Sequence, residues 1–299
     1  MRAQSLTISV PYNGCDKNCP YCVSKITGTI KTNRDLMVRN ANKVLNFARS
    51  AQVTSVLITG KGEPFRNFGD VLYFTRLFAE FPVEVQTNGL WLSQQVQNDA
   101  QNLFRPFTYL YEAGMNVIAV SVDDPFSWPS LGPRNHTDVG KITQEAHQCG
   151  MLVRVTFNVT KMLNEGLNEG LIGNDSHPAT FKSLMRLCHD WNVDQMTFRN
   201  IVSPNHTKET PQTKWIKKFV DPNMYERIKN EMDEACASSG FLIRVLPHGS
   251  KVYDYEGVAV SYSDYCIQDS NNTDDIRSLI YQEDGHLYTS WNSNASILF

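Results

Sequence analysis

Residues 13–22 are Asn13-Gly14-Cys15-Asp16-Lys17-Asn18-Cys19-Pro20-Tyr21-Cys22, a stretch in which three cysteines fall within eight residues. Ordinary core packing does not produce such a cluster, whereas a loop of this kind can direct three thiolates to one metal centre. Structural zinc takes four protein ligands, and an ordinary [4Fe-4S] cluster takes four cysteines. The nearest further histidine and cysteine are His136 and Cys149, so no fourth ligand is supplied locally. The stretch therefore indicates a metal centre with one position open to a substrate or cofactor.

This loop resembles that of the radical S-adenosylmethionine (radical SAM) superfamily. Members of that family hold a [4Fe-4S] cluster by the same C-x-x-x-C-x-x-C spacing, with an aromatic residue just before the last cysteine. The resemblance implies that Cys15, Cys19 and Cys22 bind the cluster and that Tyr21, the aromatic residue here, belongs to the cofactor site. On spacing alone, a zinc loop completed by a remote residue and three cysteines that merely lie close together are the alternatives.

The composition is that of a globular protein with ample core: 299 residues, 41% hydrophobic, 20% charged and a formal net charge of -3. No Gly/Ser-rich linker or low-complexity tract divides the chain, so one large domain is expected. The first residues lead directly into a strand-like run without the parts of a signal peptide, and no apolar run approaches membrane-spanning length. A cytoplasmic protein with no membrane partner is the resulting expectation.

The four cysteines outside the loop are isolated from one another in the sequence. Cys188 and Cys236 fall on the apolar faces of predicted helices, which is typical of small buried hydrophobic residues in a reducing compartment. Neither disulfides nor a second iron–sulfur cluster is predicted. The four are Cys149, Cys188, Cys236 and Cys266.

The charge balance argues against a protein that grips a long phosphate backbone, because such affinity comes mainly from Lys and Arg. The sequence pI is about 6.2. A local contact with nucleic acid stays open. The one basic concentration predicts a solvated surface segment, and it consists of Lys208, Lys214, Lys217 and Lys218 with Trp215 among them.

Short β-branched runs alternate with longer amphipathic segments, which is the pattern of successive βα units and a parallel sheet. The first helix is predicted from Arg34 to Arg49. No Gly-x-Gly-x-x-Gly opens it, so a dinucleotide-binding Rossmann domain loses its main support. The six predicted strands are Leu6–Val10, Ser55–Thr59, Val83–Thr87, Val117–Ser121, Val153–Phe157 and Gln195–Arg199.

The family resemblance implies an α/β fold, namely a partial (β/α)6 TIM-like barrel over residues 1–204. Residues 205–299 are predicted to form a C-terminal α/β cap within the same globular unit. This extension contains a predicted helix from Met224 to Ser238, a strand-like run from Phe241 to Leu246 and a hairpin turn at Glu283-Asp284-Gly285. Packing as an edge extension is the competing explanation.

A second motif, Gly60-Lys61-Gly62-Glu63-Pro64, follows the second predicted strand. Glycines allow close backbone approach, and a carboxylate can receive an ammonium group, which suits an amino-acid headgroup. The family element is usually Gly-Gly-Glu-Pro and contacts the methionine amine of SAM. Gly62 and Glu63 are therefore implied cofactor-binding residues, while Lys61 departs from the pattern. A turn with an incidental surface glutamate is the alternative.

Three more polar residues follow or close predicted strands: Asn88, Ser121 and Asn158. By position they resemble family residues that face the ribose or carboxylate of SAM. A polar residue at a strand end also commonly caps a turn, and that alternative applies to each of them.

The activity implied by the resemblance is reductive cleavage of SAM at the [4Fe-4S] cluster to a 5′-deoxyadenosyl radical, which abstracts hydrogen from a substrate. The implied partners are an electron donor such as flavodoxin or ferredoxin, and a small-molecule, nucleotide or peptide substrate. The reaction class stays open. The alternatives are a non-enzymatic zinc or iron–sulfur scaffold and a radical SAM enzyme that modifies nucleic acid.

Cys266 lies among polar and aromatic residues in Tyr262-Ser263-Asp264-Tyr265-Cys266. If the extension caps the pocket, this thiol is a candidate catalytic residue, as a hydrogen donor or covalent handle. A buried, inert thiol is the alternative.

Overall fold

The computed structural model describes residues 2–28, 30–97, 105–125, 137–163, 179–202, 209–246, 249–264, 275–291 and 294–299. Within them the chain forms a mixed α/β fold around one sheet of 11 strands, in the order β11-β10-β1-β2-β3-β4-β5-β6-β9-β8-β7. The strands are β1 Arg2–Val10, β2 Ser55–Gly60, β3 Val83–Thr87, β4 Met115–Val122, β5 Leu152–Val159, β6 Gln195–Asn200, β7 Phe241–Val245, β8 Lys251–Tyr255, β9 Val258–Ser263, β10 Asp275–Tyr281 and β11 Leu287–Tyr288.

The centre of the sheet is parallel. Strands β1 to β6 pair in chain order, β10 runs parallel to β1, and β9 runs parallel to β6. All six predicted strands are confirmed, each with a similar range. Because parallel strands end at the same edge of a sheet, the loops that follow β1 to β6 gather at one edge.

The helices supply a second layer. Alternate strand residues such as Ile8, Val85 and Phe198 are fully buried, and they belong to one apolar cluster with helix residues such as Val44 and Ile142. The predicted first helix is confirmed as α2, one residue longer than expected. The described helices are α1 Val23–Thr27, α2 Arg34–Ser50, α3 Phe68–Leu77, α4 Leu90–Gln97, α5 Pro106–Ala113, α6 Val139–Cys149, α7 Phe181–Asp190, α8 Pro211–Phe219 and α9 Pro222–Ser239.

Successive side chains of a strand point to opposite faces. The opposite face of the sheet is mainly polar, although Leu57, Val117 and Ala119 also lie on it. Most of its side chains are partly buried. The register aligns them in rows across the strands, for example Asn158 beside Arg199 and Arg199 beside Ser263. The polar residues of this face are Thr7, Ser9, Thr59, Glu84, Gln86, Ser121, Arg154, Thr156, Asn158, Thr197, Arg199, Ser261 and Ser263.

The C-terminal extension adds strands at both edges of the six-stranded centre formed by β1 to β6. Its strand β10 adds beside β1, and its strand β9 adds beside β6. The predicted helix, strand and hairpin are confirmed as α9, β7 and the antiparallel pair β10–β11. The cap itself stays a prediction. None of the described helices combines the length and apolar character needed to cross a membrane.

Candidate functional site

The cysteine loop connects β1 to α1 at the C-terminal edge of the parallel strands. Cys15 is exposed, and Cys19 and Cys22 are partly buried. The carbonyl of Cys22 accepts backbone hydrogen bonds from Lys25 and Ile26, at 3.1 and 3.2 Å, so the helix α1 begins directly after the last cysteine. The loop is thus anchored at one end by a strand and at the other by a short helix.

The loop offers three thiols, which are ligands for zinc and for iron–sulfur clusters. Among the described residues, no three His, Cys, Asp or Glu side chains are grouped so as to hold one metal ion. A [4Fe-4S] cluster makes a different demand, because each of its cysteines binds a different iron. Burial, and next the charge of Asp123, raises the pKa of the Cys19 thiol to about 11. Since the thiolate is the ligand, binding of the metal must displace that proton.

Glu63 is a buried connection between the second and third loops, with an exposed fraction of 4%. Its Oε1 accepts hydrogen bonds from Thr87 Oγ1 at 2.6 Å and from the backbone nitrogen of Phe65 at 3.3 Å, and its Oε2 accepts one from the backbone nitrogen of Asn88 at 2.8 Å. Burial raises the pKa of this carboxyl group. Glu63 is therefore not an incidental surface residue of a turn.

Gly62 lies where the second loop meets the cysteine loop. A Cβ at Gly62 would lie 2.1 Å from the carbonyl oxygen of Gly14. The neighbouring backbone nitrogen of Glu63 donates to that same oxygen at 2.9 Å. The close approach that requires glycine here is thus an approach to the cysteine loop.

Lys61, the departure from the family pattern, is 6% exposed. Its Nζ donates to Thr27 Oγ1 and to the carbonyl oxygen of Gly28, both at 2.9 Å. Burial lowers the pKa of Lys61, while the charges of Glu283 and Cys22 oppose that shift. The ammonium therefore ties the second loop to the end of α1.

Asn88 contacts the cysteine loop directly, with its Nδ2 3.7 Å from Cys15 Sγ. Its Oδ1 also accepts a hydrogen bond from the backbone nitrogen of Leu90 at 2.9 Å, at the start of α4. The residue therefore caps a turn, as the structural alternative expected, and also touches a predicted metal ligand.

Asp123, the first carboxylate after β4, is not among the predicted site residues, although it lies in the run from Ser121 to Asp124 that closes this strand. Its Oδ1 accepts hydrogen bonds from the hydroxyl of Tyr21 and from Asn158 Nδ2, the latter at 2.7 Å. Burial, and then Asp123, raises the pKa of Tyr21 well above its usual value. Asp123 thus joins the cysteine loop to the ends of β4 and β5.

Helix α8 covers this side of the loop. The ring of Trp215 lies 5.4 Å from that of Tyr21, and buried Ile216 and Ile201 complete the cluster. The prediction of a solvated basic segment is correct for Lys214, Lys217 and Lys218, which are exposed. It is wrong for Trp215, which packs against Tyr21 of the cysteine loop. A large aromatic side chain on the inner side of a helix is stabilised by burying its apolar surface.

The remaining predicted residues are less connected to this network. Ser121 lies on β4 itself, in register with Thr156 on the polar face. Cys188 and Cys236 are buried, as predicted, and burial raises the pKa of Cys188 to about 12. Cys266 and Lys208 lie outside the described residues.

One comparison with known families covers the part of the chain that contains the cysteine loop. A family model described as a 4Fe-4S single cluster domain matches residues 5–131. The chain is 26% identical over 167 residues to a GTP 3',8-cyclase and 29% identical over 91 residues to a 7-carboxy-7-deazaguanine synthase, both from Clostridium acetobutylicum. These matches cover 55% and 30% of this chain, and 48% and 40% of the relatives, so the chain spans about half or less of their length.

Solved structures of SuiB from Streptococcus suis are similar in fold. The complex with the precursor peptide SuiA superposes with a TM-score of 0.59 at 14% identity, covering 98% of this chain and 61% of that one. The complex with S-adenosylmethionine gives a TM-score of 0.57 at 14% identity, with 96% and 60% covered. At this level of identity the likeness concerns the fold.

Proposed function

The chain belongs to the radical SAM superfamily, with a [4Fe-4S] cluster and SAM as its cofactors, and on this premise we propose that it cleaves SAM reductively and removes a hydrogen atom from a substrate. The observation that carries the proposal is the loop of three cysteines at the C-terminal edge of a parallel sheet. It is tied to the next two loops by Gly62, Glu63 and Asn88.

We also propose that β1 to β6 form a partial (β/α)6 barrel. In a doubly wound sheet, helices cover both faces, and strands are apolar on both. In β1 to β6, apolar residues that face the helices alternate with mainly polar residues that face the other way. A polar inner surface that receives a ligand accounts for this difference. The cap formed by residues 205–299 is part of the same proposal, supported by the pairing of β9 and β10 with the outer strands of the six.

In this proposal Cys15, Cys19 and Cys22 hold the cluster. When bound, the reduced cluster and SAM supply the electron transfer and the 5′-deoxyadenosyl radical that abstracts hydrogen. The chain's own contribution is to orient the reactants and exclude water. Lys61 fixes the second loop against α1, and Asp123 fixes Tyr21 through its hydroxyl.

Glu63 is proposed to bind the amine of SAM and to position the loop that surrounds it. Each carboxylate oxygen can accept two hydrogen bonds. Because Oε2 accepts one, from the backbone of Asn88, it keeps capacity for an ammonium donor. Its burial means that the same carboxylate also holds the second and third loops together. Gly62, Asn88, Ser121 and Asn158 are the further proposed cofactor contacts.

The proposed substrate is a small molecule, nucleotide or peptide, and we place a nucleotide first. By name, one curated relative cyclises the nucleotide GTP, and the other makes 7-carboxy-7-deazaguanine, a modified purine-like base. The SuiB complex with a precursor peptide keeps the peptide class open. The proposed electron donor is a flavodoxin or ferredoxin. The exposed lysines of α8 are the candidate contacts, although Lys214 and Lys217 both pair with Glu209, at 3.4 and 3.7 Å.

Anaerobic reconstitution tests the proposal. The wild-type protein should bind iron and sulfide and form 5′-deoxyadenosine from SAM under a strong reductant. Replacing all three loop cysteines by Ala should abolish the visible cluster absorbance. Cys149→Ala, a partly buried cysteine outside the loop, is the matched control and should retain it. Zinc without sulfide, and no SAM cleavage, would instead identify a scaffold protein.

A further inference from the structure

We propose that Arg199 binds an anionic group, a carboxylate or phosphate, of a small molecule lying on the polar face of the sheet beside the cysteine loop. The inference rests on the proposed function for the location of the ligand, and it adds the charge that the ligand carries. The guanidinium is a planar fork of donors that matches a carboxylate or phosphate with two parallel hydrogen bonds.

We call the C-terminal edge of the parallel strands, where the cysteine loop lies, the catalytic edge of the proposed function, and Arg199 lies at this edge. It lies near the end of β6, on the polar face, in register with Asn158 on β5 and Ser263 on β9. The amide of Asn158 donates to Asp123, which also accepts the hydroxyl of Tyr21. Arg199 is thus one strand away from a network that ends next to Cys22.

The guanidinium of Arg199 is incompletely satisfied. Its Nε is buried and has no hydrogen-bond partner in the part of the chain that the structure describes. Three carboxylates on this part of the fold already have other partners. Glu84 pairs with Arg154, Asp123 accepts Tyr21 and Asn158, and Asp264 pairs with Lys229. The Arg199 side chain is partly buried, and its buried Nε–H lacks an acceptor, so a ligand anion would supply the missing hydrogen bond and a counter-charge.

Arg154 shows how the same face accommodates a structural arginine. It lies on β5, four residues before Asn158 and away from the catalytic edge, and it pairs with Glu84 on β3. Arg34, Arg49 and Arg66 likewise have carboxylate partners. The Nε of Arg154 is also buried without an acceptor, so an unpaired Nε alone does not set Arg199 apart. The difference is the carboxylate: Arg154 pairs with Glu84, whereas Arg199 has no carboxylate partner among the residues that the structure describes.

Two ligands carry the required chemistry: SAM through its carboxylate, and a nucleotide substrate through its phosphates. The first experiment asks whether an anion binds at all. Melting of the ligand-free protein is followed with inorganic pyrophosphate or citrate added, in wild type, Arg199→Met and Arg199→Lys. Arg49→Gln, an exposed arginine paired with Glu80, is the matched control. Arg199→Met should lose the anion-dependent increase in melting temperature that wild type and the control show.

The second experiment identifies the source of the anion by calorimetric binding to reconstituted protein. SAM is compared with decarboxylated SAM, and GTP with guanosine, in wild type and Arg199→Gln. Arg199→Gln removes one charge-assisted pair, so it should weaken the affinity for either SAM or GTP by roughly ten- to hundred-fold. The affinity for the matching ligand without the anionic group, decarboxylated SAM or guanosine, should stay unchanged. If Arg199→Gln weakens the binding of SAM but not of decarboxylated SAM, the bound anion is the carboxylate of SAM. If it weakens the binding of GTP but not of guanosine, the bound anion is a nucleotide phosphate.

The inference is overturned if none of the four anionic probes (pyrophosphate, citrate, SAM and GTP) distinguishes the Arg199 variants from wild type. Formation of 5′-deoxyadenosine by the same wild-type preparation tests the proposed function separately. Activity with Arg199-independent anion binding would remove only the inference, whereas Arg199-dependent binding without activity would remove only the proposed function.

Discussion

Replacing Gly62 by Ala tests why the second loop needs a glycine. The added Cβ would lie 2.1 Å from the Gly14 oxygen, 2.9 Å from the Gly14 carbonyl carbon and 3.1 Å from the ring of Tyr12. An ordinary C···O contact of about 3.3 Å would require the loops to separate by about 1.2 Å. The hydrogen bond from Glu63 to Gly14, 2.9 Å long, lies at the same contact and would be strained or lost.

The expected loss of stability follows from these two effects. Overpacking typically costs about 1–3 kcal/mol, and loss of a backbone hydrogen bond costs about 1 kcal/mol. Gly62→Ala should therefore lower the free energy of unfolding of the metal-free protein by about 2–4 kcal/mol. Chemical denaturation of the metal-free protein measures this directly, and reconstituted protein should also hold iron less firmly against a chelator.

Gly69→Ala is the matched control. Gly69 lies in α3, and a Cβ there would meet nothing within 4 Å. Alanine is favoured over glycine in a helix by about 0.5–1 kcal/mol, so the control should be slightly stabilised. A Gly62→Ala protein of wild-type stability that no longer binds SAM would refute the reasoning, because the glycine would then serve approach to a ligand and not contact between loops.

Further predictions concern Glu63, Trp215 and Cys266. Glu63→Gln should keep the cluster and weaken SAM binding about tenfold, since a charge-assisted hydrogen bond becomes neutral. The affinity is measured by the spectroscopic response of the cluster to SAM, and an unchanged affinity would show that Glu63 has only a structural role. Because burial raises the pKa of Glu63 in the folded state, its contribution to stability is complete below the ordinary Glu pKa and is lost as pH rises through the folded value. The difference in unfolding free energy between wild type and Glu63→Gln should fall over that interval, and a pH-independent difference would contradict it. Trp215→Ala should speed the loss of iron to a chelator by exposing Tyr21, while Trp215→Phe should lose iron at nearly the wild-type rate. Equal rates of iron loss in wild type and both variants would show that α8 does not protect the cysteine loop. Cys266→Ser should leave reductive SAM cleavage unchanged, and loss of substrate turnover in a variant of preserved thermal stability is expected only if the thiol takes part in chemistry.

The regular parts of the fold were predictable because they depend on local patterns. Apolar residues at helical spacing in α2 and β-branched runs in β1 to β6 set the type and order of these elements. The cysteine loop, the Gly62–Glu63 motif and Asn88 could be assigned to one edge, since parallel strands must end together. The hairpin between β10 and β11 was predictable from its turn residues for the same local reason.

The sequence by itself predicted a metal centre at three cysteines of one short loop, and it determined the alternation of strands and helices around that loop. Only the tertiary structure decided which distant residues complete the site. Asp123, after β4, accepts the hydroxyl of Tyr21, and Trp215 of α8 packs on the ring of Tyr21. Strands β9 and β10 pair with the two outer strands of the six-stranded centre, β6 and β1. Local propensity and periodicity act over a few residues of chain, whereas these contacts join segments that only packing brings together. The lack of a protein acceptor at Arg199 Nε is likewise a property of the folded face, because pairing depends on which side chains the strand register aligns.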